Sequence, residues 1–225
     1  MKKSILSLML LLMGIGAQAQ DWRFGVQING SKNDVPGAAS KGVGAGYGFG
    51  AFAEYQLSKH FFVDGGLEFV KTQTEFDFYT NKSNAYVYES RRFRPAFLHV
   101  PFHVGYRLPI AKGFGVSLSA GPYVGVGLFG GGYKTHMAWS GKDITVPKDY
   151  PLGKKEDIKN AFNEGMKRFD WGLDFRFGVE VGKHWRVGAS YRLGLQKVIN
   201  LDAAKGEPSG YGKNRIFSVQ VGYTF

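Results

Sequence analysis

The sequence predicts an all-β protein, an eight-stranded antiparallel transmembrane β-barrel with short periplasmic turns and long extracellular loops. Eight segments alternate apolar residues with small or polar ones, and the connections between them alternate short and long. The outward positions assigned to the level of the membrane lack charge; they end at Phe69 in the third segment and begin at Ala96 in the fourth and Phe217 in the last. A charge at the midplane of a barrel's lipid face costs about 2–4 kcal/mol. The last segment shows the pattern most clearly, because Phe217, Val219, Val221, Tyr223 and Phe225 share one face.

The N-terminus, residues 1–19, has the pattern of a secretory signal peptide. Lys2 and Lys3 precede an apolar stretch over residues 5–15, and residues 17–19 form an Ala-Gln-Ala cleavage site. The apolar stretch is shorter than the ~20 residues that a helix needs to cross a bilayer. We therefore expect export, and a barrel domain over residues 20–225 in the cell outer membrane.

The predicted strands and connections reproduce the loop pattern of an outer-membrane barrel. The strands are expected at residues 22–29, 46–57, 61–79, 93–108, 113–128, 170–181, 184–196 and 214–225. Short connections fall at 58–60, 109–112 and 182–183, and long ones at 30–45, 80–92, 129–169 and 197–213. The strands at 61–79 and 93–108 exceed the roughly 9–11 residues that cross a bilayer, so their ends should project as a hairpin.

The longest predicted loop contains a helical pattern of apolar residues. In the longest extracellular loop, 129–169, the apolar residues Ile158, Phe162, Met166 and Phe169 recur at helical spacing. We expect a short helix that caps the barrel mouth, with a partner-docking helix as the alternative.

Two prolines, Pro101 and Pro122, interrupt adjacent predicted strands. Because proline has no backbone N–H group to donate to a neighbouring strand, we expect each proline to mark a bulge.

The inward positions of the strands carry both signs of charge in equal number. The members of this lumen charge network are Arg23, Glu54, Asp64, Glu68, His99, His103, Arg107, Asp174, Arg176, Glu180, Arg186 and Arg192. Side chains can just fill the interior of an eight-stranded barrel, and buried charges must be paired because isolated ones cost too much desolvation energy. We therefore expect a polar but occluded interior rather than an open pore.

The amino-acid composition excludes cysteine-based sites and shows that the chain is basic. The absence of cysteine excludes disulfides and thiolate metal sites. The formal net charge is +11, of which Lys2 and Lys3 carry two. For an exported barrel we interpret this balance as basic loops over anionic lipid head groups or surface polysaccharide, or as a solvated surface without a partner. We expect no nucleic-acid partner, although a basic balance alone would allow one.

Two neighbouring stretches are similar to a known family. Residues 95–108, Pro-Ala-Phe-Leu-His-Val-Pro-Phe-His-Val-Gly-Tyr-Arg-Leu, resemble the "Leu-x-(Ile/Val)-Pro-x-x-x-x-(Tyr/Phe)" strand of the PorT-like outer-membrane β-barrel family of Bacteroidota. Residues 119–127, Ser-Ala-Gly-Pro-Tyr-Val-Gly-Val-Gly, resemble the "Ala-Gly-Pro-Tyr-x-Gly" strand that follows it in that family. The resemblance implies an eight-stranded barrel of the wider OmpA/OmpX-like class. It implies neither a single function nor any catalytic residue.

Three patterns that could carry chemistry have structural explanations. Gly125-x-Gly127-x-x-Gly130 matches a dinucleotide-binding pattern, but no helix is predicted after it. His99 and His103 lie about 13 Å apart along a strand, too far to bind one metal ion alone. His136, Ser140 and Asp143 could nominally form the rim triad of a lipid-modifying enzyme, yet nothing in the sequence fixes their geometry. We expect no catalytic, cofactor-binding or metal-binding residues and no cofactor.

The leading hypothesis is a non-enzymatic outer-membrane barrel with a structural or interaction role, as an accessory subunit of an envelope complex. Its expected partners are outer-membrane lipid, an envelope protein that binds the extracellular loops, and the barrel-insertion machinery. That machinery would recognise Val221, Tyr223 and Phe225 as a C-terminal insertion signal. A narrow small-solute channel is the first alternative, and a lipid-modifying outer-membrane enzyme is the second.

Overall fold

The protein, seen in a computed structural model, is built from antiparallel strands. The structure describes residues 22–35, 44–82, 85–140, 155–199 and 212–225. The strands are β1 (Trp22–Asp34), β2 (Gly44–Gln56), β3 (Phe61–Lys71), β4 (Thr74–Lys82), β5 (Ala85–Ala111), β6 (Phe114–Ser140), β7 (Lys155–Ile158), β8 (Phe169–Val181), β9 (Trp185–Lys197) and β10 (Lys213–Thr224). Within the described ranges, no helix is long and apolar enough to cross a membrane.

Eight of these strands close into a ring. Each strand pairs with the next in the order β1, β2, β3, β5, β6, β8, β9 and β10, and β10 pairs with β1 to complete the circle. All of these pairings are antiparallel. Closure satisfies the backbone groups of every strand without an edge, which is the condition for crossing a bilayer with strands. The predicted fold class is therefore confirmed.

The outer surface of the ring is apolar, as the sequence alternation predicts. Large apolar side chains on every ring strand point outward and are exposed, and polar side chains on the same strands are buried inside. Examples of the outward set are Ile28, Phe49, Leu67, Val104, Leu118, Phe175, Val187 and Val219. This surface, which we call the lipid-facing band, matches the apolar belt that outer-membrane barrels present to lipid.

The extracellular half is more strand-like than the sequence predicts. β5 and β6 are each 27 residues long and pair far beyond the lipid-facing band. Residues 85–92 and 130–140 are strand rather than loop, and the predicted strand 61–79 is broken at Thr72 and Gln73 into β3 and β4. The extensions lack a regular apolar alternation, because residues 89–92 are all polar and residues 130–132 are all glycine, so the sequence does not mark them as strands. β4, β5, β6 and β7 form a protruding four-stranded surface, which we call the extracellular sheet.

The predicted helix in the longest connection is wrong. Residues 155–158 form β7, and residues 161–165 form a turn that ends at Gly165, whose φ is +119°. A left-handed backbone at this position interrupts any helix. The segment still covers the barrel mouth, because Ile158 and Met166 are buried there. Phe169, the last residue of the helical pattern, lies instead on the exposed outer face of β8.

The prediction of bulges at the two prolines is also wrong. The β5–β6 register is unchanged from Pro101, opposite Tyr123, to Val104, opposite Ala120, and shifts only between Ala96 and Phe97 and near the periplasmic turn. The prolines remove ladder hydrogen bonds without adding a residue to either strand. Close approach is possible there because Gly121 has no side chain: an added Cβ would lie 2.0 Å from the carbonyl oxygen of Phe102.

The C-terminal strand forms the seam of the barrel. Val221 and Tyr223 lie opposite Ile28 and Val26 of β1, and the backbone N–H of Phe225 donates to the carbonyl of Phe24 at 2.9 Å. The ring of Tyr223 contacts those of Trp185 and Phe225 at the end of the barrel where the short turns lie. These aromatic side chains form part of a belt at the periplasmic interface.

Deletion of Phe225 should lower the fraction of the protein that inserts as a folded barrel. The deletion removes a seam hydrogen bond and the exposed terminal aromatic side chain. Heat-modifiable mobility on gels of isolated outer membranes would measure the folded fraction, with Phe225→Tyr as the control that keeps the aromatic ring. Normal assembly of the deletion variant would contradict the assignment of Val221, Tyr223 and Phe225 as an insertion signal.

Candidate functional site: the barrel interior

A first group of ion pairs blocks the periplasmic end of the barrel interior. Glu54 of β2 accepts hydrogen bonds from Arg107 and Arg186, each at 2.6 Å, and from Arg23 at 3.2 Å. Glu180 of β8 accepts from Arg107 at 2.8 Å and from Arg186 at 3.1 Å. We call these five residues the lower cluster. They come from five strands, so their pairing joins opposite walls of the ring.

Two aromatic rings complete this layer. The guanidinium of Arg107 lies 4.6 Å from the centroid of the Phe62 ring, and that of Arg186 lies 5.2 Å from the Phe52 ring. Phe62 is only 1 % exposed. Because the rings contact only the flat faces of the guanidinium groups, the N–H groups at the guanidinium edges remain free to donate to carboxylates. The lower cluster is thus packed by aromatic side chains as well as paired.

A second group of ion pairs lies at the middle of the barrel. Arg176 donates to Glu68 at 2.5 Å and to Asp174 at 2.9 Å, and Arg192 donates to Glu68 at 2.7 Å and to Asp174 at 2.9 Å. Each arginine therefore bridges the same two carboxylates. Asp174 is fully buried and Glu68 almost so. Such carboxylates are tolerated in a dry interior only because their cations are in contact.

The two predicted histidines join this second group, which we call the central cluster. His103 lies between Asp64, 2.8 Å from Nδ1, and Asp174, 3.3 Å from Nε2. Arg192 contacts Nδ1 of His99 at 2.8 Å. Because arginine can only donate, that nitrogen accepts and His99 is the neutral tautomer with its proton on Nε2. The lower and central clusters together contain all twelve residues of the predicted lumen charge network.

A third polar contact lies above the central cluster and was missed in the sequence. Asp170 is completely buried and accepts from the hydroxyl of Tyr123 at 3.2 Å and from the amide of Asn214 at 2.9 Å. Its second carboxylate oxygen has no hydrogen-bond partner among the described residues. The alternation could have revealed it, because Asp170 has the same parity on β8 as the inward Asp174.

The extracellular mouth is closed by apolar side chains. Residues from β5, from the ends of β1, β7 and β9 and from the connection between β7 and β8 pack into one buried group, which we call the apolar cap. Its members are Val35, Phe93, Phe97, Ile158, Ala161, Met166, Val198 and Ile199, with Phe162 against them. Burial of such side chains stabilises the cap by about 1.5–3 kcal/mol for each large residue.

Little free space remains between the polar layers. A cavity of about 10 Å³ lies between the lower and central clusters and is lined by Asp64, Ser117, Arg176, Arg186 and other side chains. A volume of this size holds about one water molecule. Within the described residues, the interior is thus filled by two ion-pair layers, the Asp170 contact and the apolar cap. No group of three histidine, cysteine or acidic side chains among these residues is arranged to bind a metal ion.

The glycines of the nucleotide-binding pattern make room for interior side chains. A Cβ added to Gly125 would lie 2.3 Å from the His99 ring, and one added to Gly127 would lie 2.3 Å from the Phe162 ring. The third glycine, Gly130, lies against the backbone of Pro95. All three are within β6, which continues as strand to Ser140, so close packing explains them.

The nominal rim triad is not brought together. His136 and Ser140 lie on the single strand β6, four positions apart, which separates their backbones by roughly 13 Å. Asp143 lies outside the described residues. A serine nucleophile needs its base within hydrogen-bond reach, and the two backbone positions on β6 do not provide that geometry.

The comparison with known protein families decides the broad assignment. The model of the family described as "Outer membrane protein beta-barrel domain" matches residues 18–200, most of the chain. The chain belongs to this family. It is accordingly an outer-membrane barrel protein, in agreement with the closed ring and the lipid-facing band. No curated protein matches the chain.

Several solved barrels are similar in overall form. Neisserial surface protein A is 14 % identical with a TM-score of 0.40, and the match covers 90 % of this chain and 97 % of that one. Ail, the attachment invasion locus protein of Yersinia pestis, is 11 % identical with a TM-score of 0.35 over 91 % and 98 % of the chains. OprG of Pseudomonas aeruginosa is 14 % identical with a TM-score of 0.34 over 91 % and 96 %. At these values the likeness carries no argument about ligands or role.

Two aspartates on β8 allow the ion-pair account to be tested with matched substitutions. Asp174→Asn should lower the free energy of unfolding by about 3–5 kcal/mol, because it removes one of the two buried carboxylates that Arg176 and Arg192 share. Asp170→Asn should change it by less than about 1 kcal/mol, because Asp170 has no cation partner in the described structure and an amide oxygen still accepts. Urea unfolding in lipid vesicles would measure both. Equal losses for the two variants would contradict the account.

Proposed function

We propose that this outer-membrane barrel is a closed, non-enzymatic protein that acts through its extracellular sheet, as a structural or accessory subunit that binds an envelope protein. The observation that carries the proposal is the contrast between the two halves of the molecule. The interior is filled with mutually paired charges and closed by the apolar cap. β5 and β6 meanwhile extend to 27 residues each, well beyond what crossing a bilayer requires.

The filled interior supports a closed barrel over the narrow-channel alternative. A passing solute would have to separate arginine–carboxylate contacts of 2.5–3.2 Å in both clusters and displace the apolar cap. Removing one partner of a buried pair costs about 3–5 kcal/mol. Several such pairs would have to open together, so the ground state of the barrel does not favour conduction.

The extracellular sheet supports an interaction role. It contains two strands outside the ring, β4 paired to β5 and β7 paired to β6, so it extends the barrel wall sideways as well as upward. Arg92 donates to Glu75 across the β4–β5 pair, and its guanidinium lies 5.1 Å from the centroid of the Tyr133 ring. These side-chain contacts between neighbouring strands hold the sheet as a pre-formed surface, which lowers the entropy cost of binding a partner.

We further propose membership of the PorT-like subgroup of the family. The two resembling stretches lie side by side on β5 and β6, where Pro101 is opposite Tyr123. They supply His99, His103 and Tyr123 to the interior. The residues that carry the resemblance thus pack and pair inside the barrel. They support an interior architecture shared with the PorT-like subgroup, whereas the proposed partner would bind the extracellular sheet.

Planar bilayers containing the purified protein should show no steady open conductance, because the ion-pair layers and the cap block the interior. An open porin incorporated under the same conditions would serve as the positive control. A steady, large conductance would contradict the closed barrel.

Shortening the β4–β5 hairpin should remove partner binding while leaving the barrel folded. Replacing residues 80–87 by Asn-Gly keeps the pairs from Thr74–Phe93 to Tyr79–Tyr88 and closes the hairpin with a favoured two-residue turn. Proteins cross-linked to wild type in intact cells and lost from the shortened variant would be identified by mass spectrometry. An identical cross-linked set for both proteins would contradict a partner site on this hairpin.

A further inference from the structure

A basic pocket lies on the outer wall of the barrel, at the base of the extracellular sheet. Its volume is about 420 Å³. Four cationic side chains and one carboxylate line it, above a floor of glycine and aromatic residues. The cations are Lys71, Arg94, Lys155 and Lys159, the carboxylate is that of Asp157, and Phe129 is one of the aromatic residues. We call this site the rim pocket; its net formal charge is +3, from four cations and one anion.

The rim pocket begins where the lipid-facing band ends. Lys71 follows Phe69 by two residues on β3, so the two side chains share the outer face. The Phe69 ring lies 6.1 Å from that of Phe129, which is 56 % exposed and lines the pocket. Aromatic side chains of barrels gather at the level of the lipid head groups. The cations of the pocket therefore face outward at the height of the outer-leaflet head groups.

The cations of the rim pocket lack the partners that the interior cations have. Within the described part of the chain, Lys71, Arg94 and Lys159 form no ion pair. The ammonium of Lys155 lies 3.9 Å from the centroid of the Tyr133 ring, which orients it without neutralising its charge. Like charges that converge repel one another unless an anion lies between them. The arrangement is complementary to an anionic group.

The floor of the pocket is kept open by a glycine. Phe129, Gly131 and Tyr133 alternate along the outward face of β6, so the position between the two rings has no side chain. A Cβ at Gly131 would lie 2.9 Å from the carbonyl oxygen of Ile158. The close pairing of β6 with β7 thus requires glycine here, and the same glycine leaves a gap between the two rings.

We propose that the rim pocket binds a phosphate group of an outer-leaflet glycolipid, with the acyl chains of that lipid against the lipid-facing band. Arg94 supplies a planar donor pair suited to phosphate oxygens, and Lys71 and Lys159 supply mobile point charges. A lipid fits better than a soluble anion because the pocket is continuous with the apolar wall below Phe129 and Phe69. The proposal rests on the outer-membrane location and holds whether or not the interior conducts.

The test compares two triple variants with the same change in charge. Lys71→Gln/Arg94→Gln/Lys159→Gln removes three cations of the rim pocket. Lys32→Gln/Lys197→Gln/Arg215→Gln removes three exposed cations near the extracellular ends of β1, β9 and β10. Purified full-length proteins in detergent would be titrated with bisphosphorylated lipid A, with the same lipid after removal of its phosphates, and with inorganic phosphate. Binding would be measured by native mass spectrometry.

Wild type and the control triple should bind the phosphorylated lipid at least about tenfold tighter than the dephosphorylated one, since a single charge-assisted hydrogen bond accounts for that factor. The rim-pocket triple should lose this preference. Retention of the preference by that triple would overturn the proposal, and so would inorganic phosphate displacing the lipid at equal concentration. The single variant Lys159→Gln, at an exposed position, would show a partial loss even if the triple variant did not fold.

Discussion

The pairing of buried arginines with buried carboxylates is the interaction on which the rest of this structure depends. An eight-stranded ring encloses a space that side chains must fill, and here ionisable side chains fill most of it. Glu54 holds three arginines and Glu68 holds two, so each carboxylate connects strands that are far apart in sequence. These contacts brace the ring from inside, while the lipid-facing band holds it in the membrane from outside.

The placement of charge follows from the two environments of the barrel wall. Inside, the cations of the described residues occur where carboxylates meet them, because desolvation of an isolated charge is too costly. On the outside of the described wall, no charge lies below the head-group level, where the cations of the rim pocket appear without ion-pair partners among the same residues. The same residue types are therefore structural on one face and available for binding on the other.

Much of the fold could be predicted from the sequence, because period-two alternation and loop lengths report directly on a membrane barrel. The inward charges were predictable for the same reason, although the partners of each were not, since pairing depends on register across strands. His99 shows the limit: its partner is Arg192, which lies far away in sequence and meets it through the fold of the ring. Asp170 and Tyr123 were missed although their parity marked them as inward residues.

The extracellular half could not be predicted from alternation. Polar residues at 89–92 and glycines at 130–132 interrupt the apolar alternation where β5 and β6 leave the membrane, so these extensions resemble loops in sequence. The apolar spacing of Ile158, Phe162 and Met166 suggested a helix, but these side chains are placed by a strand, a turn and the left-handed Gly165. Their common feature is burial in the apolar cap, which a helical pattern can imitate by chance.

Closure of the interior to water-borne molecules can be measured directly, because the protein has no cysteine of its own. Ser117 and Ser190 are buried inward positions near the ion-pair layers, whereas Ser58 lies exposed in a periplasmic turn. Single cysteines at these three sites in the reconstituted protein would be reacted with a small charged thiol reagent. A closed interior should give rapid labelling at position 58 and none at 117 or 190 over the same period. Labelling of the two interior positions at the rate of the turn position would contradict it.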